Sequence, residues 1–290
     1  MRIWSILFAA MIDIEQRLNH AEQVIREAGK LARGFFDNRN DLVIKLKGVQ
    51  DFVSQADAET EDLIASRLLA SFPHDGILGE ERGRRGGETD AVWVIDPIDG
   101  TANFVRGLPY WCVAIALVCS GRIELGLIFD PVSNKLYSAR RGHGAFCNGQ
   151  PIAVSGATRL EQACIGLGLG HGEAGEPHAA LIERLLRAHC QYRRLGSGLM
   201  LMALTAEGAM DGFYEARMKP WDALAGLLLV REAGGMTNDY LGFDGEVRAE
   251  PVLAITPGLW NGFCQATGVS LPVFSEAQNG FHSAARAGIA

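Results

Sequence analysis

The chain has 290 residues, 48% of them hydrophobic and 21% charged, and carries a formal net charge of -7. That length can bury a substantial core, either in one large domain or in two packed halves. The acidic balance weighs against a protein that wraps nucleic acid, which needs a basic face, but leaves a phosphate ester open as a substrate because bound cations supply positive charge locally.

The first ten residues, MRIWSILFAA, are apolar but too short and too poorly punctuated for a signal peptide. Met11 reads as the natural start, with Asp13 as a helix N-cap and Gln16 three residues on. Apolar residues at helical spacing from Ile14 to Phe35 predict a long amphipathic helix over 13–37. A strand follows over 42–46, punctuated by Lys47-Gly48, and then a helix over 56–71 whose acidic first turn suits the helix dipole. Strands are expected at 92–95, 113–119 and 123–129, the last two joined by a Ser120-Gly121 hairpin turn. Strands at 134–139 and 151–154 continue the sheet, with Asn148-Gly149 as a further turn. Beyond residue 155 the order is mixed. Strands at 164–168, 192–194, 212–215 and 251–255 alternate with helices at 177–189, 198–207, 221–233 and 258–267, and a weakly patterned tail covers 271–290. The pattern predicts two packed halves of α/β (α+β) type, 11–155 and 156–270, with extensions at 1–10 and 271–290. No run of about 18 apolar residues suggests a membrane span. The six cysteines form no CxxC pair or dense framework, as expected of buried thiols in the reducing cytoplasm.

The chemistry concentrates in Asp96-Pro97-Ile98-Asp99-Gly100-Thr101, directly after the apolar run AVWVI. Pro97 removes a backbone donor and pushes Asp96 into an extended conformation, and the turn after it brings Asp99 to the same side. Gly100 allows close approach of a ligand to the backbone, and Thr101 stands at the start of a short helix, an anion site. Carboxylates for a hard cation beside N–H groups for a phosphate make complementary half-sites. Glu80, in Gly79-Glu80-Glu81, and Asp222, in the first turn of an apolar helix after Lys219-Pro220-Trp221, are further carboxylate sources.

The stretches DFVSQAD (51–57), GEE (79–81), WVIDPIDGTANF (93–104), GAFCNGQPI (144–152), RRLGSG (193–198), DGFYE (211–215), WDALAG (221–226) and EAGG (232–235), in this order, resemble the inositol monophosphatase family over most of the chain, from about Leu18 to Thr267. The resemblance implies a layered αβαβα sandwich of the sugar-phosphatase type and a magnesium-dependent inositol-phosphate phosphatase, cytoplasmic and homodimeric, typically inhibited by lithium. It implies that Glu80, Asp96 and the carbonyl oxygen of Ile98 hold one Mg²⁺, that Asp96, Asp99 and Asp222 hold a second, and that Glu80 helps hold a weaker third through water. Asp57 and Thr101 would orient and activate the attacking water. The backbone of Asp99, Gly100 and Thr101 would cradle the phosphate, and Ser197, Gly198, Glu215 and Asp222 would face the alcohol.

An oxygen-only ligand set selects Mg²⁺ or Mn²⁺ over zinc, and a metal-activated water needs no covalent nucleophile. Three other activities share such a core: histidinol-phosphate phosphatase, fructose-1,6-bisphosphatase and 3′(2′),5′-bisphosphate nucleotidase. Some bacterial members of the family act on transcription by binding RNA polymerase, so a binding role is the alternative to catalysis; direct nucleic-acid binding is not expected. Gly166-Leu167-Gly168-Leu169-Gly170 lacks the spacing of a dinucleotide loop and reads as a loop or strand edge. His171, Glu173, Glu176 and His178 lack metal-protease spacing and read as a solvated loop. Arg193 and Arg194 are candidates for substrate phosphate or for a dimer interface.

Overall fold

The structure is a computed structural model that describes residues 2–39, 44–48, 51–170, 175–240 and 247–275. From the N-terminus the elements are α1 (Arg2–Asp37), β1 (Ile44–Gly48), β2 (Asp51–Ser54), α2 (Gln55–Ser71), β3 (Gly76–Gly79), β4 (Gly83–Gly86), β5 (Ala91–Asp99), α3 (Thr101–Arg106), β6 (Cys112–Cys119), β7 (Arg122–Asp130), β8 (Lys135–Arg140), β9 (Ala145–Cys147) and β10 (Gln150–Pro151). There follow β11 (Cys164–Leu167), α4 (Gly175–Arg187), β12 (Gln191–Arg193), α5 (Gly198–Ala206), β13 (Gly212–Met218), α6 (Pro220–Glu232), β14 (Met236–Thr237), β15 (Glu250–Ile255) and α7 (Trp260–Thr267).

An eight-stranded sheet has the order β10-β9-β8-β7-β6-β5-β3-β4, and a five-stranded sheet the order β12-β11-β13-β15-β14; β1 and β2 form a separate hairpin. Side-chain alternation assigns the layers. On β6, Val113, Ile115 and Leu117 pack with α1 and α2, while Cys112, Ala114, Ala116 and Val118 pack with α5 and α6. On β15, Val252 and Ala254 join that second core, while Leu253 and Ile255 face α4 and α7. The layers therefore run helix, sheet, helix, sheet, helix, the αβαβα sandwich that the family resemblance implies. A strand covered on both faces reads as a continuous apolar run, which is why AVWVI and VAIALV look as they do.

The two turn assignments hold for a backbone reason. Ser120 and Gly121 join β6 to β7, and Asn148 and Gly149 join β9 to β10, all four with positive φ. Right-twisted hairpins require this conformation, and Asn and Gly tolerate it best. At Gly126 on β7, a Cβ would lie 2.6 Å from the Ala225 carbonyl oxygen, so α6 rests directly on the sheet.

Several expectations are corrected. Helix α1 runs continuously from Arg2, so Asp13 lies inside it rather than capping it. The apolar spacing continues upstream of Met11 with no breaker, and nothing interrupts the hydrogen-bonded helix there. Of the predicted 42–46 strand, residues 42 and 43 lie outside the described residues; β1 covers the rest and extends to Gly48, paired with Asp51 across a bulge. The 151–154 strand ends at Pro151; beyond it the Ile152 N–H still donates to the Ala145 carbonyl, but the Val154 N–H turns to the Ala233 carbonyl, each at 3.0 Å. The short strands β2, β3, β4, β9 and β14 are additions. The tail is docked at its start: Val273 bridges Asn238, and the Phe274 N–H donates to the Thr237 carbonyl at 2.9 Å. All six cysteines are free thiols, Cys112 and Cys190 buried and the other four half-buried. Among the described residues no helix is long and apolar enough to cross a membrane.

Candidate active site

Asp96 and Asp99 are three residues apart on β5, and strict strand alternation would send them to opposite faces. A β-bulge resolves the conflict. Asp96 pairs with Ala114 and Asp99 with Cys112, so three residue steps on β5 match two on β6. Pro97, which cannot donate to a ladder, lies within the bulge, and both carboxylates emerge on one side.

Strand β3 runs parallel to β5 with Gly79 beside Ile95, and the Glu80 N–H donates to the Ile95 carbonyl at 3.3 Å. Glu80 and Asp96 thus leave the carboxyl ends of two neighbouring parallel strands, where α/β folds place their ligands. Asp222 arrives from the other half of the chain, in the first turn of α6, where it accepts from the Lys219 N–H at 3.2 Å. The ligand oxygens of Asp96, Asp99 and Asp222 all lie within 4.8 Å of one another. Glu80 lines the same cavity without belonging to that trio.

Helix α5 holds Asp99 in place. Its Oδ2 accepts from Ser197 Oγ at 2.5 Å and from the Leu199 N–H at 2.8 Å, so the carboxylate sits on the positive end of the helix that Ser197 caps. Gly100 has φ of 94° and a Cβ there would meet Tyr110 O at 3.0 Å and Gly196 O at 3.2 Å; only glycine satisfies both limits. Asn103, to which the sequence assigned no role, donates its amide to Tyr110 O at 2.7 Å and Leu195 O at 2.8 Å. It ties the DPIDGT turn to the loop that carries Ser197. Its signal was position alone, on the same short helix as Thr101.

Asp57 lies behind the cavity wall. Its Oδ2 accepts from the Ser54 N–H at 2.8 Å and Ser54 Oγ at 2.7 Å, a capping box at the start of α2. Its Oδ1 stands 3.3 Å from Thr101 Oγ1, which is also 2.9 Å from the Ile98 carbonyl. One hydroxyl proton serves one of those two acceptors at a time.

The electrostatics are those of crowded like charge in a dry setting. Burial, then Glu80, Asp99 and Asp222, push the Asp96 carboxyl well above the ordinary range. Burial also raises Asp99, takes Asp57 to about 6, and together with the charge of Asp99 takes Asp222 to about 7. Asp96 Oδ1 accepts the Ile98 N–H at 3.0 Å, but the buried Oδ2 has no hydrogen-bond partner. An orphaned carboxylate oxygen among other carboxylates is costly by itself, and an oxygen-only donor set of this kind fits a hard divalent cation.

The cavity has a volume of about 950 Å³ and is lined by every expected ligand and substrate residue: Glu80, Asp96, Ile98, Asp99, Gly100, Thr101, Ser197, Gly198, Glu215 and Asp222. The sequence reading missed part of the rim. Arg106, Arg217 and Lys219 line it with Arg194, adding positive charge to a cavity that also holds the carboxylates. Leu167 to Gly170 also line it, and Gly168 is a glycine because a Cβ there would overlap the Glu215 carboxylate. The alternating small residues of the GLGLG run were the available signal. His171 and Glu173 lie outside the described residues, and Glu176 and His178 fall on α4.

Comparison with known proteins agrees with this geometry. The inositol monophosphatase family model matches residues 13–262. An inositol-1-monophosphatase of Mesorhizobium japonicum is 42% identical over 226 residues, which is 77% of this chain and 85% of that one. The Nus factor SuhB of Escherichia coli K12 is 36% identical over 228 residues, 78% of this chain and 85% of that one. Among solved structures, the extragenic suppressor protein suhB from Bartonella henselae superimposes with a TM-score of 0.81 at 31% identity, covering 90% of this chain and 100% of that one. The Thermotoga maritima IMPase gives 0.77 at 30% identity, over 87% and 97%. With its bulged pair of aspartates, the layers that deliver them and these relatives, the chain belongs to the inositol monophosphatase family.

Proposed function

We propose that the protein is a Mg²⁺-dependent phosphomonoesterase that hydrolyses myo-inositol monophosphate to inositol and phosphate. One observation carries the reading: the buried, partnerless Oδ2 of Asp96, with ligand oxygens of Asp99 and Asp222 within 4.8 Å. Glu80, Asp96, the Ile98 carbonyl, Asp99 and Asp222 would hold two or three Mg²⁺, or Mn²⁺ in its place. When bound, such cations supply an acidified water and relieve charge on the phosphoryl group.

The protein's own groups do the rest. Thr101 Oγ1 presents its lone pairs to the attacking water while Asp57 accepts the hydroxyl proton, and an Asp57 carboxyl raised to about 6 is ionised at neutral pH. The Asn103 and Phe104 N–H groups close the first turn of α3 on the Gly100 carbonyl, which leaves the backbone of Asp99, Gly100 and Thr101 before them to cradle the phosphate. Glu215 and Ser197 would face the alcohol, with the Ser197 proton kept on Asp99 Oδ2, and Arg106, Arg194, Arg217 and Lys219 draw the anion in.

Comparing kcat/KM with Mg²⁺ on myo-inositol monophosphate, histidinol phosphate, fructose 1,6-bisphosphate and adenosine 3′,5′-bisphosphate tests the substrate. Inositol monophosphate is expected to lead, with inhibition by lithium; a clear win for histidinol phosphate overturns the choice. The protein is expected as a homodimer of cytoplasmic type, and a monomer mass by light scattering contradicts this. A second reading, a transcription-associated role through RNA polymerase, is favoured by the SuhB relatives, whose name includes "Nus factor". Asp96→Asn separates the two: a cellular phenotype that survives loss of hydrolysis belongs to binding.

A further inference from the structure

Glu61 is a buried carboxylate, 0% exposed, that the proposed mechanism does not use. It lies on α2 one turn after Asp57, and residues four apart share a helix face. Its Oε2 accepts the Glu81 N–H at 2.7 Å, and its Oε1 accepts the Arg82 N–H at 3.0 Å and Arg85 Nη2 at 3.2 Å. Since the Glu80 N–H already donates to the Ile95 carbonyl, three consecutive backbone amides are fixed, two of them by one side chain.

The neighbouring glycine is shaped to this contact. A Cβ at Gly79 would lie 2.3 Å from the Glu61 carboxyl carbon and 2.3 Å from Oε1, so the carboxylate packs against bare backbone. Burying a charge here costs more than burying an apolar side chain of the same size, and filling space would not require it. What a carboxylate does, and an apolar residue cannot, is grip the two amides that follow Glu80.

We propose that Glu61 is a positioning residue for the cation site: it fixes the backbone that aims Glu80, and so sets metal affinity without touching metal or substrate. Helix α2 then delivers two carboxylates to one end of the sheet, Asp57 toward Thr101 and Glu61 under the 80–82 turn. The inference rests on the reading of Glu80 as a cation ligand.

Glu61→Gln preserves size but replaces one acceptor oxygen by an NH₂ donor, so one loop amide faces a group that cannot accept from it. Mn²⁺ binding, read from the loss of the free-ion EPR signal, is compared for the full-length wild type, Asp96→Asn and Glu61→Gln. Glu61→Gln is expected to bind Mn²⁺ about 10–100-fold more weakly, the range for groups that orient metal ligands. The Mg²⁺ concentration for half-maximal hydrolysis rises to match, with kcat at saturating Mg²⁺ within about threefold of the wild type, a split that general loosening of the fold would not give. Wild-type Mn²⁺ affinity in a Glu61→Gln protein that still unfolds cooperatively overturns the proposal. If Asp96→Asn binds Mn²⁺ as tightly as the wild type, the cation site itself is misassigned, and both readings fall. Should Glu61→Gln not fold, Arg85→Gln decides, because it removes the cation that rests on Glu61, and on Asp62 at 3.5 Å, at a side chain that is 36% exposed. An affinity weakened several-fold supports the proposal, and an unchanged one overturns it.

Discussion

Asp75 and Asp96 stand at opposite ends of the same sheet, each 1% exposed, and they have been treated in opposite ways. Asp75, just before β3, receives four donors: Arg17 Nε at 3.1 Å and Nη2 at 3.0 Å, Trp93 Nε1 at 3.0 Å and Thr89 Oγ1 at 3.2 Å. Asp96 receives one backbone N–H and keeps an orphaned oxygen among like charges. Equal burial therefore has two meanings. A carboxylate whose lone pairs are filled by the protein ties elements together, here α1 to the sheet edge, whereas one left short of donors is held ready for a cation.

The comparison breaks most visibly at Asp96. Asp96→Asn removes the central ligand, and kcat/KM with Mg²⁺ is expected to fall by at least about 10³-fold, the several kcal/mol that metal coordination supplies to the transition state. The same change relieves like-charge repulsion, so the metal-free variant should melt at or above the wild-type temperature. A variant that keeps activity within tenfold would remove the basis of the assignment. At Asp75 the signs invert. Asp75→Asn withdraws the buried carboxylate on which Arg17, Trp93 and Thr89 converge and is expected to cost about 3–5 kcal/mol by urea unfolding. Activity per folded molecule should remain near wild type, and a kcat loss beyond about tenfold without destabilisation would erase the distinction.

How far the two sites could be read in advance follows the same division. Asp96 and Asp99 were legible because a Pro between two carboxylates at a strand end has no packing explanation, and the Ser120-Gly121 and Asn148-Gly149 turns because positive φ demands such residues. The bulge that puts Asp96 and Asp99 on one side was not legible, since register depends on β6, which lies beyond the turn. Strand β4 was missed because GRRG has neither β-branched residues nor alternation, and it exists by pairing with β3. Glu61 looks in sequence like any acidic residue on a solvated helix face; only the amides of a loop twenty residues on distinguish it. Sequence shows where charge is concentrated, while donors brought from afar decide whether that charge is satisfied.

A smaller effect separates the protonation states of the site. The folded-state carboxyls of Asp57, about 6, and Asp222, about 7, lie above the 3.8 of a free aspartate, so the folded chain keeps protons that the unfolded chain has released. The stability these groups contribute is full below about pH 4 and is lost as pH rises through 6 to 7; for Asp57 alone the rise is worth about 3 kcal/mol. Metal-free protein is thus expected to melt higher at about pH 5 than at about pH 8, and saturating Mg²⁺ to raise Tm more at the higher pH. A Mg²⁺ shift that is larger at about pH 5 would contradict the view that cation and proton compete for the same oxygens.

The finest probe lies at Ser197, where structural and functional satisfaction meet in one side chain. Its Oγ accepts the Met200 N–H at 3.2 Å as the cap of α5 and donates to Asp99 Oδ2 at 2.5 Å. Ser197→Ala loses the cap, worth about 1 kcal/mol in thermal or urea unfolding. It also withdraws one of the donors that hold Asp99, though the Leu199 N–H keeps that oxygen in place at 2.8 Å. Because Asp99 retains its helix-end anchor, kcat/KM is expected to drop only about tenfold, with the Mg²⁺ requirement rising in step. Full activity despite the lost cap would put Ser197 with Asp75, as a residue that serves the fold alone. A loss as large as that of Asp96→Asn would mean that the hydroxyl contacts the reacting groups directly.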